Sequence, residues 1–168
     1  MMWVLSKCYF EQYGVRSANL IIPNMYGPFD STNPNKTHAL NALIIKFLKA
    51  IKYNQKEVEI WGTGKPVREW LYVRDFAKIV LQVILRDESF IDPINIAQDH
   101  GETVNELVKT IQEKVHFTGQ LTYNSKYQDG SPKKVMDDRL FRLKYPGFRF
   151  TPLETGITET IEYYRAIL

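Results

Sequence analysis

The chain of 168 residues holds a single cysteine, Cys8. One thiol excludes an internal disulfide and cannot build a structural zinc centre on thiolates, so no metal site is expected and the expected setting is reducing and cytoplasmic. Long apolar runs are also lacking. None approaches the roughly 18 residues that a membrane span needs, and Met1–Lys7 has neither the charged leader nor the length of a signal peptide. No membrane partner is therefore expected. Nor does charge of one sign dominate: 22 Lys and Arg against 19 Asp and Glu leave a net +3, spread along the chain rather than gathered into a basic block. That pattern excludes dedicated nucleic-acid binding.

What the chain does have is core material. With 44% hydrophobic and 13% aromatic residues it can bury the interior of one domain. It opens in mid-pattern, because Trp3, Leu5, Tyr9 and Phe10 follow helical spacing with no capping residue before them. A piece of a longer protein is the expectation. Gly14 stops this helix, and Arg16–Ile22 reads as a buried strand running into the turn residues Pro23, Gly27 and Pro28. A polar surface loop from Phe29 to Thr37, with Asn33-Pro34-Asn35, precedes a helix over about 38–52 whose buried face is Leu40, Leu43, Ile44, Phe47 and Ile51. Glu57–Trp61 alternates as a half-exposed strand, and Arg68–Val73 forms a second one. Asp75 is placed to cap a helix running to about Arg86. A strand around Ile94–Ile96 leads to a helix with the capping-box pair Thr103 and Glu106, then a short strand near Leu121 and a closing helix from about Pro152.

Three loops carry more chemistry than a connection needs. Pro23-Asn24-Met25-Tyr26-Gly27-Pro28 follows a strand, where ligands bind in open α/β sheets, although a tight turn with Asn24 bonding its own backbone would also account for it. In Trp61-Gly62-Thr63-Gly64-Lys65-Pro66-Val67-Arg68-Glu69, two glycines allow close approach, Trp61 offers a stacking plane and Arg68 a bidentate fork. A hairpin turn with a surface tryptophan is the plainer alternative. The third, Ser125–Lys134, combines Asp129 with lysines, and by itself reads as a solvated loop.

In their order and spacing these loops resemble the carboxy-terminal half of the extended short-chain dehydrogenase/reductases, the NAD-dependent epimerase/dehydratase family, and within it the GDP-L-fucose synthases. The resemblance rests on Asn24-Met25-Tyr26-Gly27-Pro28, His38 at a helix mouth, Trp61-Gly62-x-Gly64-x-Pro66-x-Arg68-Glu69, and Asp129-Gly130-x-Pro132-x-Lys134, and runs from about Gly14 to Tyr164. It implies that Ile22, Pro23, Asn24, Met25 and His38 lie against a nicotinamide cofactor. It also implies that His38 is catalytic, a general acid in epimerisation, which suits a side chain that exchanges protons near neutral pH. Lys46, Trp61, Arg68 and Asp129 would contact a nucleotide sugar, with a GDP-sugar the first choice and Arg68 on the diphosphate. On their residues alone, His38 would be a helix-start residue and Lys46 a solvated one.

Departures from the family set the limits of the expectation. None of the nine glycines forms a phosphate-cradling strand-to-helix turn, and none of the ten tyrosines has lysine four residues on. The cofactor site and the Tyr-x-x-x-Lys pair would thus lie upstream of Met1, and Cys8 is not the family's reactive cysteine. The expected fold is α/β: residues 1–28 as a remnant of the cofactor domain's helix and strand, and 29–168 mostly as the substrate-binding lobe, with small mixed sheets and helices. The intact parent would use NADP or NAD to epimerise and reduce a 4-keto-6-deoxy nucleotide sugar. This chain alone would bind no cofactor tightly and would be inactive. The opening helix would support a homodimer through Trp3, Tyr9 and Phe10. Two alternatives remain: a 4-epimerase or 4,6-dehydratase of the same family, against which His38 speaks, and a non-catalytic nucleotide-sugar-binding or interaction domain.

Overall fold

The computed structural model describes residues 2–33, 36–86 and 88–168, so Pro34 and Asn35 of the expected surface loop lie outside the described residues. The chain folds as α1 (Met2–Tyr13), β1 (Ala18–Ile21), β2 (Asn24–Tyr26), α2 (Ala39–Lys52), β3 (Glu57–Trp61), β4 (Val67–Arg68), β5 (Trp70–Tyr72) and α3 (Val73–Leu85). There follow β6 (Phe90–Asn95), β7 (Glu102–Thr103), α4 (Val104–Val115), β8 (Gln120–Asn124), β9 (Lys133–Lys134), α5 (Arg139–Lys144) and α6 (Leu153–Ile167). This is the expected α/β class with small sheets. Three parallel pairs, β1–β6, β2–β5 and β3–β8, accompany a three-stranded sheet ordered β7-β4-β9.

Two hydrophobic clusters form the interior. In the first, α2, α4 and α6 pack together against the β3–β8 pair, burying Leu40, Ile44, Phe47, Ile60, Leu107 and Tyr164. The second gathers β1, α3, β6 and α5 around Leu71, Ile79, Ile94 and Phe141. The chain crosses between them at β5, where Trp70 and Tyr72 belong to the first cluster and Leu71 to the second.

Local rules account for several elements. The period-two alternation expected of Glu57–Trp61 is realised as exposed-buried-exposed-buried-exposed. Gly14 ends α1 with φ +68°, a left-handed conformation that a residue with Cβ rarely takes. The capping box closes as expected: the Glu106 N–H donates to Thr103 Oγ1 at 3.1 Å, and the Thr103 N–H donates to Glu106 Oε2 at 2.7 Å.

Elsewhere tertiary partners override the local reading. The expected strand Arg68–Val73 is broken into β4 and β5, and Val73 already starts α3. Asp75 is not that helix's cap, since Tyr72 holds the position. Its buried carboxylate accepts from the Thr151 N–H (2.6 Å), the Thr151 hydroxyl (2.9 Å) and Lys78 (3.1 Å), tying α3 to the segment before α6. Pro152 sits at the N-cap of α6 rather than in its first turn. Ile51 is exposed, because the buried stripe of α2 runs through Leu40, Ile44, Phe47 and Leu48. Ile21 of the expected buried strand is exposed as well.

One buried carboxylate joins the loops. Glu69, 1% exposed, accepts from the backbone N–H of Gln98 (2.5 Å) and of Met136 (2.9 Å). Its own N–H donates to Lys134 O at 3.2 Å, and its carbonyl accepts from Asn24 Nδ2 at 3.2 Å. Burial pushes the Glu69 carboxyl above its ordinary range, and the two amide hydrogen bonds oppose that shift without cancelling it. The stability this group contributes is therefore fully present below its unfolded value and declines as the pH rises through the folded one. Glu69→Ala, which strands two N–H groups, is expected to lower the unfolding free energy by about 2–3 kcal/mol. Urea denaturation should show that gap between wild type and variant, narrowing as the pH is raised above 4.5.

Candidate functional site

One side of α2 lies at the edge of the core, where Leu43 and Ile45 touch both the first cluster and a groove. Ala39, Ala42, Leu43, Lys46 and Lys49, spaced three and four apart, form a stripe that walls this groove of about 500 Å³. The opposite wall is Ile60, Trp61, Trp70, Val104 and Leu107, and the polar residues Thr32 and Thr37 stand at one end. The lining is apolar, with two ammonium groups, two hydroxyls and two indoles, the composition of a small-molecule site.

Lys46 and Trp61 of the lining connect to Asp129 and Arg68, which lie beyond it. Lys46 Nζ lies 4.6 Å from the centroid of the Trp61 ring and donates to Glu59 O at 2.9 Å. Partial burial pulls the Lys46 ammonium below its ordinary range against the pull of Glu59. Trp61 stacks on Tyr127 with centroids 4.3 Å apart and planes 12° apart, and its indole N–H donates to Glu59 Oε1 at 2.9 Å. The Asn124 amide donates to the other Glu59 oxygen, and these two bonds hold that carboxyl below its usual range.

Asp129 faces the loop after Trp61. Its carboxylate accepts from the Thr63 N–H (2.8 Å) and hydroxyl (2.6 Å), which keep it below the usual range. Gly62, at φ +81°, makes this possible: a Cβ there would stand 2.2 Å from Asp129 Oδ1. Arg68 donates to the carbonyls of Asp129 (2.9 Å) and Val67 (2.8 Å). Arg68 and Asp129 themselves are not in the groove's lining; they reach it through the loop that carries Trp61. No hairpin exists here, since β3 pairs with β8 and not with β4.

His38 stands between two lining residues, Thr37 and Ala39, at the N-cap of α2, with its side chain 59% exposed. Its Nδ1 lies 3.1 Å from Asp30 Oδ2, which also accepts from the His38 N–H (2.9 Å) and from Asn41 Nδ2 (2.9 Å). Burial raises the Asp30 carboxyl, but bonds from His38, Asn41 and Ser31 outweigh it and leave it below the usual range. Ile22, Pro23, Asn24 and Met25 are not in the groove lining. They lead into and through β2, joined to the groove wall by Asn24 Nδ2 on the carbonyl of Glu69, next to Trp70, rather than by a local turn.

The arrangement also takes in Thr63 and Tyr127, which lie inside two of the loops singled out above without a role of their own, and Asp30, Asn41 and Trp70, for which the sequence motifs give no role. The carboxylate following Pro28-Phe29, a short loop ahead of His38, was the one visible signal. The Trp70 indole N–H is buried and has no acceptor among the described residues.

A family profile described as the NAD dependent epimerase/dehydratase family matches residues 1–97 of this sequence. The chain belongs to that family. Among its epimerase/dehydratase relatives, GDP-L-fucose synthase 1 of Arabidopsis thaliana is 33% identical over 94% of this chain and 48% of its own length. GDP-L-fucose synthase of Escherichia coli (strain K12) is 30% identical over 95% of this chain and 52% of its own. The crystal structure of a GDP-L-fucose synthetase from Naegleria fowleri bound to NADP superposes with a TM-score of 0.90 at 26% identity, covering 99% of this chain and 53% of that one. The chain thus spans about half the length of the epimerase/dehydratase relatives it matches. The resemblance read from motif order is borne out at the level of family and fold.

Gly62→Ala would meet both a left-handed backbone and the Asp129 carboxylate. It is expected to lower stability by about 1–3 kcal/mol and to release the Trp61 loop, read as a lower thermal midpoint and raised amide exchange at Thr63.

Proposed function

We propose that this chain is the nucleotide-sugar-binding part of an NAD(P)-dependent epimerase/reductase acting on a GDP-linked 4-keto-6-deoxy sugar. The observation that carries the reading is the end of the groove where Lys46 covers Trp61, itself stacked on Tyr127. An aromatic plane beside an ammonium group suits a base and its phosphates, and the long apolar groove leading toward His38 suits the sugar. In this reading a base stacks on Trp61 in the place that the Lys46 ammonium occupies here, Lys46 turns onto the diphosphate with Arg68 reaching it from beyond the groove lining, Asp129 fixes the Trp61 loop, and His38 moves a proton at the sugar ring. The buried, unpartnered N–H of Trp70 is a donor that a ligand oxygen would satisfy.

The cofactor fits only in part. Among the described residues no glycine occupies a strand-to-helix turn that could cradle a pyrophosphate, the positive-φ glycines being 14, 27, 62, 64 and 130. Ile22, Pro23, Asn24, Met25 and His38 are the residues that would face the nicotinamide end. That group, when bound, supplies the hydride for reduction. The family's complete activity would need residues outside this chain. We extend the proposal to a homodimer through α1, whose Trp3, Tyr9 and Phe10 are exposed, and to a cytoplasmic setting.

Isothermal titration of the purified chain with GDP-L-fucose tests the reading. Binding is expected without NADPH, and Lys46→Ala and Trp61→Ala should each weaken it about tenfold, or ~1.4 kcal/mol. A preference for the corresponding UDP-sugar would favour a 4-epimerase; no binding of either would sink the proposal.

A further inference from the structure

Asp30 does more than tie down a loop. Its Oδ2 receives three donors at once: the His38 backbone N–H, the His38 ring at Nδ1 and the Asn41 amide; its Oδ1 accepts from the Ser31 N–H at 2.8 Å. Asn41 is 1% exposed and its orientation is fixed from the far side. Its Oδ1 accepts from the Gly27 N–H at 3.2 Å, and its Nδ2 donates to Gly27 O at 3.2 Å. Gly27 belongs to the Tyr-Gly-Pro turn that ends β2, and a Cβ there would lie 2.4 Å from Val73. The turn, the buried amide, the carboxylate and the imidazole thus form one chain of hydrogen bonds. The carbonyl of Asp30 is itself held, accepting from Tyr164 of α6 at 3.2 Å.

We propose that Asp30, oriented by Asn41, is a positioning residue that fixes the tautomer of His38 and makes Nε2 its working nitrogen. A carboxylate accepts but cannot donate, so the ring nitrogen facing it must carry the proton. Nδ1 therefore keeps its hydrogen whether the ring is neutral or charged. Nε2 is left to gain or lose the other, which is the arrangement that a carboxylate beside a proton-transferring histidine produces in general. As an acid, the imidazolium gives up the Nε2 proton to the substrate and becomes the neutral Nδ1–H ring, with no change in its bond to Asp30. The inference deepens the proposed role of His38 and rests on it for its functional meaning, but the tautomer itself is a property of this chain.

Nitrogen-15 NMR of the labelled chain at alkaline pH, where the imidazole is neutral, reads the tautomer directly. The wild type is expected to show His38 as the Nδ1–H form. Asp30→Ala, with no acceptor at that position, should invert the ratio in favour of Nε2–H, and Asp30→Glu should restore it at least in part. A wild-type ring in the Nε2–H form overturns the inference even where Asp30→Ala fails to fold, and so does a folded Asp30→Ala chain whose His38 signals are unchanged. Because no ligand is added, these outcomes are independent of whether the chain binds GDP-L-fucose, and the two proposals fail separately.

Discussion

Four pieces of chain meet at Glu69, a buried side chain. Its carboxylate holds the loop after β6 through Gln98 and the segment after β9 through Met136, while its backbone connects to Lys134 and to Asn24. The residues on either side belong to the groove: Arg68 anchors the Asp129 loop, and Trp70 forms a wall. Taking a carboxylate out of water is costly unless donors surround it, and two backbone N–H groups offset part of that cost here. The result is that the break between β4 and β5, which sends one strand to β7 and β9 and the other to β2, is held by a side chain that is not in the groove lining. Arg68 and Trp70 keep their places only as long as this junction stays closed.

Much of the backbone was legible because its causes are local. Strand β3 alternates, α4 opens on a capping box and α1 closes on Gly14, all read within a few residues. The misreadings share one physical cause, a partner far away in sequence. Asp75 looked like a helix cap, but its acceptor capacity is taken by Thr151, 76 positions later. Strand β2 was hidden in what reads as a turn, because it exists only by pairing with β5 some 45 residues on. Leu43 fits the periodicity of a core residue and packs against the first cluster, and it also lines the groove, because α2 serves two surfaces at once.

The same distinction divides the site. Trp61, Arg68 and Asp129 could be picked out by residue type and spacing, and the glycines between them suggested a close approach. What approaches Gly62 is the Asp129 carboxylate from another loop, which spacing cannot reveal. Asp30 and Asn41 carry no signal of their own in the sequence, because each is ordinary alone. A polar residue in the first turn of an amphipathic helix reads as surface, yet Asn41 is buried by the turn it bonds. The signal was relational: an acid, a histidine and an amide that only folding brings onto one another.

The two clusters are unequal in how far they satisfy themselves. The exposed aliphatic side chains are concentrated on elements of the second cluster or packed beside it: Val4 and Leu5 on α1, Ile21 on β1, Leu81, Ile84 and Leu85 on α3, and Leu140 and Leu143 at α5. Both clusters are built on a parallel pair, β1–β6 in the second and β3–β8 in the first, and parallel strands are stable when covered on both faces. Around the first cluster the large exposed groups are mainly aromatic, Trp61, Tyr123 and Tyr127, two of which stack on each other beside the groove. Three helices close over β3 and β8 with Leu40, Ile44, Phe47, Leu107 and Ile111 almost wholly out of water, each worth about 1.5–3 kcal/mol of burial. The groove thus borrows its walls from the cluster whose core is already complete. Its shape follows from α2 being held by that core, with Ala39, Ala42, Lys46 and Lys49 at the core's edge and Leu43 and Ile45 shared between core and groove.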